Sequence, residues 1–133
     1  MSRILCRSLL SALLLVAGIF CVWPRMAWAE NITAYEAKNH IGETATVCGI
    51  VASTKYAASS RGQPTFINLD KSYPNQIFTV LIWGSDRPKF GKTEETYRGK
   101  SVCVTGKVKD FRGVVEIIAY EPDQINIQSG GAR

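Results

Sequence analysis

Basic and aromatic side chains with the chemistry to bind a ligand share one polar segment of this chain of 133 residues. Residues 54–64 are mostly polar or small, with two serines and one glycine, and carry Lys55, Tyr56 and Arg61. Cations of this kind attract phosphate groups, and aromatic rings stack on flat ligands such as nucleic-acid bases. The segment is therefore a candidate ligand loop, and the alternative is an ordinary solvated surface.

Two cysteines have the spacing for a disulfide. Cys48 lies one residue before Gly49, and Cys103 lies three residues before Gly106, on two similar strand-like segments. Both cysteines are an odd number of residues from the strand glycine, so their side chains are expected on the same face of the sheet. They share that face with Thr46, opposite a face rich in valine. Because the strands are expected to be neighbours and the protein to be exported, a Cys48–Cys103 bridge is predicted. The alternative is two small half-buried residues without a bond.

The sequence lacks the residue combinations of a catalytic or metal site. His40 is the single histidine and has no cysteine at ligand spacing. Ser59 and Ser60 lie in a polar loop and lack the sharp strand-to-helix turn that exposes a catalytic serine. Glu94 and Glu95 are adjacent residues of a charged segment and are expected to be solvated rather than catalytic. We therefore expect no enzymatic activity, no metal and no cofactor.

Residues 1–29 have the pattern of a cleavable export signal. Arg3 and Arg7 precede an uncharged apolar run over 8–22, and Ala27-Trp28-Ala29 has the small residues of a cleavage site. The alternative is an uncleaved membrane anchor, but the run is shorter than the roughly 20 residues that cross a bilayer. We expect a periplasmic or secreted protein without a stable membrane anchor.

Removing the signal changes what the charge implies. The whole chain carries 16 Lys and Arg against 11 Asp and Glu, a net charge of +5, but residues 30–133 retain 13 basic residues and all 11 acidic ones, a net charge of +2. The overall basicity therefore does not by itself indicate a nucleic-acid partner. Any such inference depends on where the charges lie.

A near-repeat indicates two matching strands. Gly42 and residues 47–51 (Val-Cys-Gly-Ile-Val) recur 57 positions later as Gly99 and residues 104–108 (Val-Thr-Gly-Lys-Val). Alternation and turn residues predict five strands in all, over 44–53, 65–70, 77–83, a segment that ends near 110, and 114–121. The faces that carry the valines are predicted to form the core: Val47, Val51, Val102, Val104 and Val108.

Few other regular elements are expected. The sequence Thr33-Ala34-Tyr35-Glu36 has the form of a capping box and predicts a short helix before the first strand. The connection over 84–98 is long and charged and has room for one helical turn over 93–97. The boundaries are a signal peptide at 1–29, one domain at 30–128 and a disordered tail at 129–133.

This order of elements, together with several short motifs, resembles a family of small exported bacterial OB-fold proteins. The motifs are 41–43 (Ile-Gly-Glu), 47–51, 64–69 (Pro-Thr-Phe-Ile-Asn-Leu), 73–76 (Tyr-Pro-Asn-Gln), 78–80 with Trp83, 98–100, 102–108 and 112–113. The resemblance implies an all-β, five-stranded Greek-key barrel with a short N-terminal helix. It also implies a nucleic-acid-binding or nucleotide-binding class of protein and no catalytic residues.

An OB-fold binds its ligand on the face of its second and third strands, between the loops after the first and fourth strands. Here this implies a site to which one loop contributes Lys55, Tyr56 and Arg61, and the other Lys109, Phe111 and Arg112, with Lys107 nearby. Strand parity sets Phe66 and Asn68 on the outer face beside Thr79 and Leu81, with Trp83 exposed near a strand end. The alternatives are a core position for Phe66 and packing of Trp83 against the 84–98 connection.

The leading functional hypothesis is an exported protein that binds single-stranded nucleic acid or oligonucleotides without catalysis. The second is a periplasmic interaction module for a protein or an envelope glycan, in which the same aromatic residues serve as contacts. A third is a structural domain without a ligand, whose aromatic residues are all core.

Overall fold

The computed structural model describes Gly18 and residues 30–130. The predicted signal peptide, apart from Gly18, and the last three residues of the predicted tail lie outside the described residues. The described chain is mostly β, with one short α-helix and three 3-10 helices at Glu36–Asn39, Arg87–Phe90 and Pro122–Gln124. Its strands and helix are β1 (Asn31–Thr33), β2 (Thr44–Tyr56), β3 (Thr65–Leu69), β4 (Phe78–Ile82), α1 (Thr93–Tyr97), β5 (Ser101–Phe111), β6 (Val114–Ile118) and β7 (Ile125–Ile127).

The strands form one sheet in the order β1-β2-β3-β4-β6-β5-β7, with a further pairing between β2 and β5. Pairing is antiparallel except between β1 and β2 and between β4 and β6. Because β5 returns to β2, the five longer strands form a closed ring of pairings. Strands β1 and β7 add to the outer edges of β2 and β5.

The core lies on the inward face of this ring. The five valines predicted from strand parity are all buried. Larger apolar side chains from β3, β4 and β6 fill the space between them, because alternate residues of a strand point to opposite faces. The largest of these fully buried side chains are Phe78, Ile67, Leu69, Ile82 and Ile117.

The near-repeat corresponds to a direct pairing of β2 with β5. Cys48 is the register partner of Cys103, and the two sulfurs are bonded at 2.07 Å, which confirms the predicted disulfide. On the same face, the hydroxyls of Thr46 and Thr105 lie 2.8 Å apart in a hydrogen bond. Gly106 lets β6 pack closely, because a Cβ at this position would lie 2.6 Å from the Ile117 Cγ2 atom.

The capping box is present, but the helix that it caps is shorter than expected. The Thr33 N–H donates to the Glu36 carboxylate (2.8 Å), and the Glu36 N–H donates to the Thr33 hydroxyl (3.2 Å). The helix is a single 3-10 turn over Glu36–Asn39, and Thr33 also ends β1. Helix α1, by contrast, spans the five residues Thr93–Tyr97 where one turn was expected.

Several strand boundaries differ from prediction. Strand β2 runs to Tyr56 instead of residue 53, and β6 ends at Ile118 instead of residue 121, because the chain then enters the 3-10 helix at Pro122–Gln124. Strand β3 stops at Leu69, since Asp70 has a left-handed φ of 66°. Strands β1 and β7, of three residues each, were missed. Within residues 30–130, no helix is long and apolar enough to cross a membrane.

Candidate functional site

A groove of about 310 Å³ lies on the outer face of the sheet, opposite the core, where β3, β4 and β6 meet the ends of β2 and β5. This volume is at the lower end of the roughly 300 to 1,000 Å³ typical of ligand sites. It suits one small ligand or one unit of a polymer. The groove is lined by Lys55, Ala57, Ser60, Phe66, Asn68, Tyr73, Gln76, Thr79, Phe111, Val114 and Glu116.

One cross-strand row forms the polar part of this surface. The register pairs Ser53 with Asn68, Asn68 with Thr79, Thr79 with Glu116, and Glu116 with Lys109. The row therefore crosses β2, β3, β4, β6 and β5 in turn. Residues directly opposite in neighbouring strands have side chains close enough to interact. Asn68, Thr79 and Glu116 from this row line the groove, and Ser53 and Lys109 continue the row on either side of it.

Hydrogen bonds hold the first half of the row. The Thr79 hydroxyl donates to the Asn68 carbonyl oxygen (3.1 Å), and the Asn68 amide donates to the Ser53 hydroxyl (3.1 Å). Ser53 also accepts from the Tyr73 backbone N–H at 3.4 Å, which ties the segment before β4 to this row. Asn68 and Thr79 lie on the outer face, as strand parity predicted, but are only 3% and 2% exposed.

Glu116 is a buried carboxylate on the groove floor, with 8% exposure. The pKa of Glu116 is raised above its usual 4.5, chiefly by burial. The positive charge of Lys109 opposes this shift, and the negative charge of Asp110 adds to it. In the described part of the chain the Glu116 side chain has no hydrogen-bond or ion-pair partner. The groove therefore carries a partly desolvated acid that no protein group pairs.

Three aromatic rings line the groove. Phe66 lies on the outer face, partly exposed and in register with Lys55 and Leu81, which excludes the core alternative for this ring. Phe111 and Tyr73 are 56% and 72% exposed. An exposed ring beside a groove offers a flat apolar surface on which a planar ligand can stack.

One cation lines the groove and a second lies next to it in the sheet. Lys55 is the lining cation, and Lys109, which is not among the lining residues, is the register partner of Glu116. Among the described residues, neither lysine forms an ion pair. The Arg112 guanidinium lies 5.3 Å from the centre of the Phe111 ring, at the tip of the turn between β5 and β6. Arg61 and Lys107 are exposed but do not line the groove.

The structure places Tyr56 away from the groove. It is the register partner of Thr65, so it faces away from Lys55 and Phe66. The Arg87 guanidinium lies 3.7 Å above the Tyr56 ring, donates to the Thr65 hydroxyl (2.6 Å) and pairs with Glu94 (3.0 Å), which lowers the pKa of Glu94. The Tyr56 ring is thus occupied by an internal contact that joins β2 to the segment before α1.

Trp83 lies beside a second, shallower groove and is 37% exposed. Its ring packs on Gly62 of the 54–64 loop, where a Cβ would lie 2.8 Å from the Trp83 Cζ3 atom. Gly62 has a φ of +77°, so both its conformation and the close approach require glycine. Trp83 was predicted to be exposed near a strand end, with packing against the 84–98 connection as the alternative; the ring is partly exposed and packs on the 54–64 loop, and Gly84 and Ser85 also line the second groove. Ser60 lines both grooves and links them.

Sequence reasoning missed three groove residues. Tyr73 and Gln76 belong to a motif that was quoted for the resemblance only, and Glu116 was covered only by the predicted strand over 114–121. Pro74 and Asn75 between them signal a turn but not the side of the sheet on which it folds. Within residues 30–130, no cluster of His, Cys, Asp or Glu has the arrangement of a metal site.

Comparison with solved structures shows an OB-fold domain. Entamoeba histolytica asparaginyl-tRNA synthetase matches 79% of this chain with a TM-score of 0.52 and 18% identity, and the match covers 25% of the synthetase. The OBody AM2EP06 bound to hen egg-white lysozyme matches 83% of this chain and 99% of the OBody, with a TM-score of 0.51 and 20% identity. No protein-family model matches the sequence, and no curated protein matches it.

Proposed function

We propose that this protein binds single-stranded nucleic acid or short oligonucleotides in the groove, without catalysis. One observation carries the proposal: the groove on the outer face of the sheet is lined by three aromatic rings and Lys55, and Lys109 is the register partner of the groove residue Glu116. Bases stack on the rings of such a surface, at about 1 to 3 kcal/mol each, while cations bind the phosphates between them.

The fold supports the same function. The outer face of these strands is the surface on which OB-folds bind oligonucleotides and oligosaccharides. The matched part of the synthetase belongs to a protein that acts on tRNA, as its name says. The small net charge over residues 30–133 means that attraction to phosphate is local, so few ions are displaced on binding and the salt dependence is modest.

Fluorescence anisotropy with a labelled single-stranded oligonucleotide of about ten nucleotides tests the proposal. We expect saturable binding that weakens as salt is raised. Phe111→Ala is expected to cost about 1 to 3 kcal/mol through lost stacking. Lys55→Ala and Lys109→Ala are each expected to reduce the slope of log K against log salt by about 1.

Lys92→Ala is the matched control, because Lys92 is 83% exposed and lies outside the groove. This variant is expected to bind like the wild type. Absence of saturable binding at low salt contradicts the proposal, and so does binding that all three groove variants leave unchanged.

Protein binding is the second candidate function, and an envelope glycan stays within the same alternative. The observation in its favour is that the OBody, which this chain matches over nearly its whole length, is bound to a protein. Exposed Tyr73 and Phe111 are of the aromatic type that dominates protein interfaces. Tight binding of one envelope protein or glycan, indifferent to salt and abolished by Phe111→Ala, would favour this candidate.

Export belongs to the proposal as well. The signal pattern over 1–29 supports it, and the Cys48–Cys103 bridge suits an oxidising compartment. We propose that the protein works in the periplasm or outside the cell after the signal has been removed.

A further inference from the structure

The groove floor presents hydrogen-bond acceptors without donors to match them. The Glu116 carboxylate has no partner among the described residues, and the Gln76 Oε1 atom is buried without a hydrogen bond. Buried polar groups in folded proteins are nearly always paired, and the Gln76 Oε1 atom is an exception. No Glu116 oxygen is both fully buried and unpaired, so the groove offers a ligand one buried amide acceptor and one solvent-accessible carboxylate that no protein group pairs.

The direction of the neighbouring hydrogen bonds explains why the protein does not supply them. Thr79 is the register partner of Glu116, but its hydroxyl proton is already donated to Asn68. The Asn68 amide in turn donates to Ser53. Thr79 thus offers only lone pairs toward Glu116, and a carboxylate accepts but cannot donate.

We infer that the groove selects guanine as the base it holds, with the Glu116 carboxylate accepting from the base's N1–H and exocyclic amino group. This inference rests on the proposed function and specifies its ligand. Guanine is the base that presents two adjacent donors on one edge. Adenine and cytosine present one amino group beside a ring acceptor, which a carboxylate repels, and thymine presents a single N–H between two carbonyl oxygens.

The surroundings of Glu116 fit a guanine nucleotide better than a cationic side chain of a protein. Phe66 and Phe111 offer faces on which a planar base stacks. Lys55 and Lys109 would repel an arginine or lysine of a partner, but they attract the phosphates that flank a base. A neutral donor edge with anionic flanks matches a carboxylate acceptor in a groove that has Lys55 in its lining and Lys109 beside Glu116.

The test compares oligonucleotides that differ in one base. Anisotropy titrations of the full chain use a thymidine oligonucleotide of about ten nucleotides with one central dG, dA, dC or dT. We expect the dG form to bind about tenfold more tightly than the dT form, the scale of one bidentate base contact. Deoxyinosine, which lacks the exocyclic amino group, is expected to bind with intermediate affinity.

Glu116→Gln is expected to bring the ratio between dG and dT affinities close to one, because an amide replaces one of the two acceptors with a donor. Glu95→Gln is the matched control, since Glu95 is 76% exposed and far from the groove, and it is expected to keep the preference. Circular dichroism of both variants establishes that they are folded.

The outcomes separate this inference from the proposed function. Equal binding of the four oligonucleotides by the wild type overturns the guanine inference and leaves nucleic-acid binding intact. Absence of binding to all four overturns both. Binding of a labelled arginine-rich peptide that depends on Glu116, without a guanine preference, overturns the inference in favour of a cationic partner.

Discussion

The Glu116 carboxylate is desolvated on the groove floor, and its pKa is raised by this burial and by Asp110 against an opposing effect of Lys109. The folded protein therefore binds the proton more tightly than the unfolded chain does, and stability falls as the pH rises above about 4.5. We expect Glu116→Gln to raise the free energy of unfolding by about 1 kcal/mol near neutral pH, because an uncharged amide is less costly to bury. Urea denaturation measures the change.

The same denaturation well below pH 4.5 is the decisive comparison, since the carboxyl is then protonated in both states and the gain disappears. A gain of equal size at both pH values would show that the charge of Glu116 is not its cause. Glu95→Gln, at an exposed position, is expected to change stability by less than about 0.5 kcal/mol throughout.

At the scale of elements, the Cys48–Cys103 bridge joins β2 to β5 at the pairing that completes the ring of strands. It links residues 55 apart in sequence. In the chain-entropy description, the bond lowers the conformational entropy of the unfolded chain and so stabilises the fold by about 4 kcal/mol. We expect the double variant Cys48→Ser/Cys103→Ser to lose about 2 to 4 kcal/mol of stability in urea denaturation. Reductant is expected to cause the same loss of stability in the wild type and no loss in the double variant. Equal stability of the reduced and the oxidised wild type would contradict a stabilising role of the disulfide.

At the scale of the whole molecule, the proposed export predicts a defined start for the mature chain. Expressed with its own N-terminus in a bacterial host, the protein is expected in the periplasmic extract as a chain that begins at Glu30. Intact-mass measurement before and after reduction checks both this start and the single disulfide. Ala29→Phe places a bulky residue at the predicted cleavage site, so this variant is expected to remain uncleaved. A wild-type mass that includes residues 1–29 would contradict the predicted cleavage.

Local patterns were sufficient for the five long strands, their inward faces and the disulfide. Side chains alternate along a strand with a period of two, so parity alone sets Val47 and Val104 inside and Cys48 and Cys103 on the other face. The same alternation set Phe66 on the outer face. Strands β1 and β7 were not predicted, because three residues are too few for an alternating pattern to be recognised. Their pairing also depends on β2 and β5 being in place.

Sequence patterns thus predicted the five long strands, their core faces and the disulfide pairing, and the resemblance to OB-folds indicated which face of the sheet would hold a ligand. Which side chains meet in the groove depends on the tertiary structure. Glu116 reaches the groove floor through the parallel pairing of β6 with β4, and Tyr73 and Gln76 reach it through a turn whose direction is set by packing. Tyr56 instead turns to Arg87. Burial and hydrogen-bond partners depend on contacts between residues distant in sequence, and these form only when the strands are paired in register.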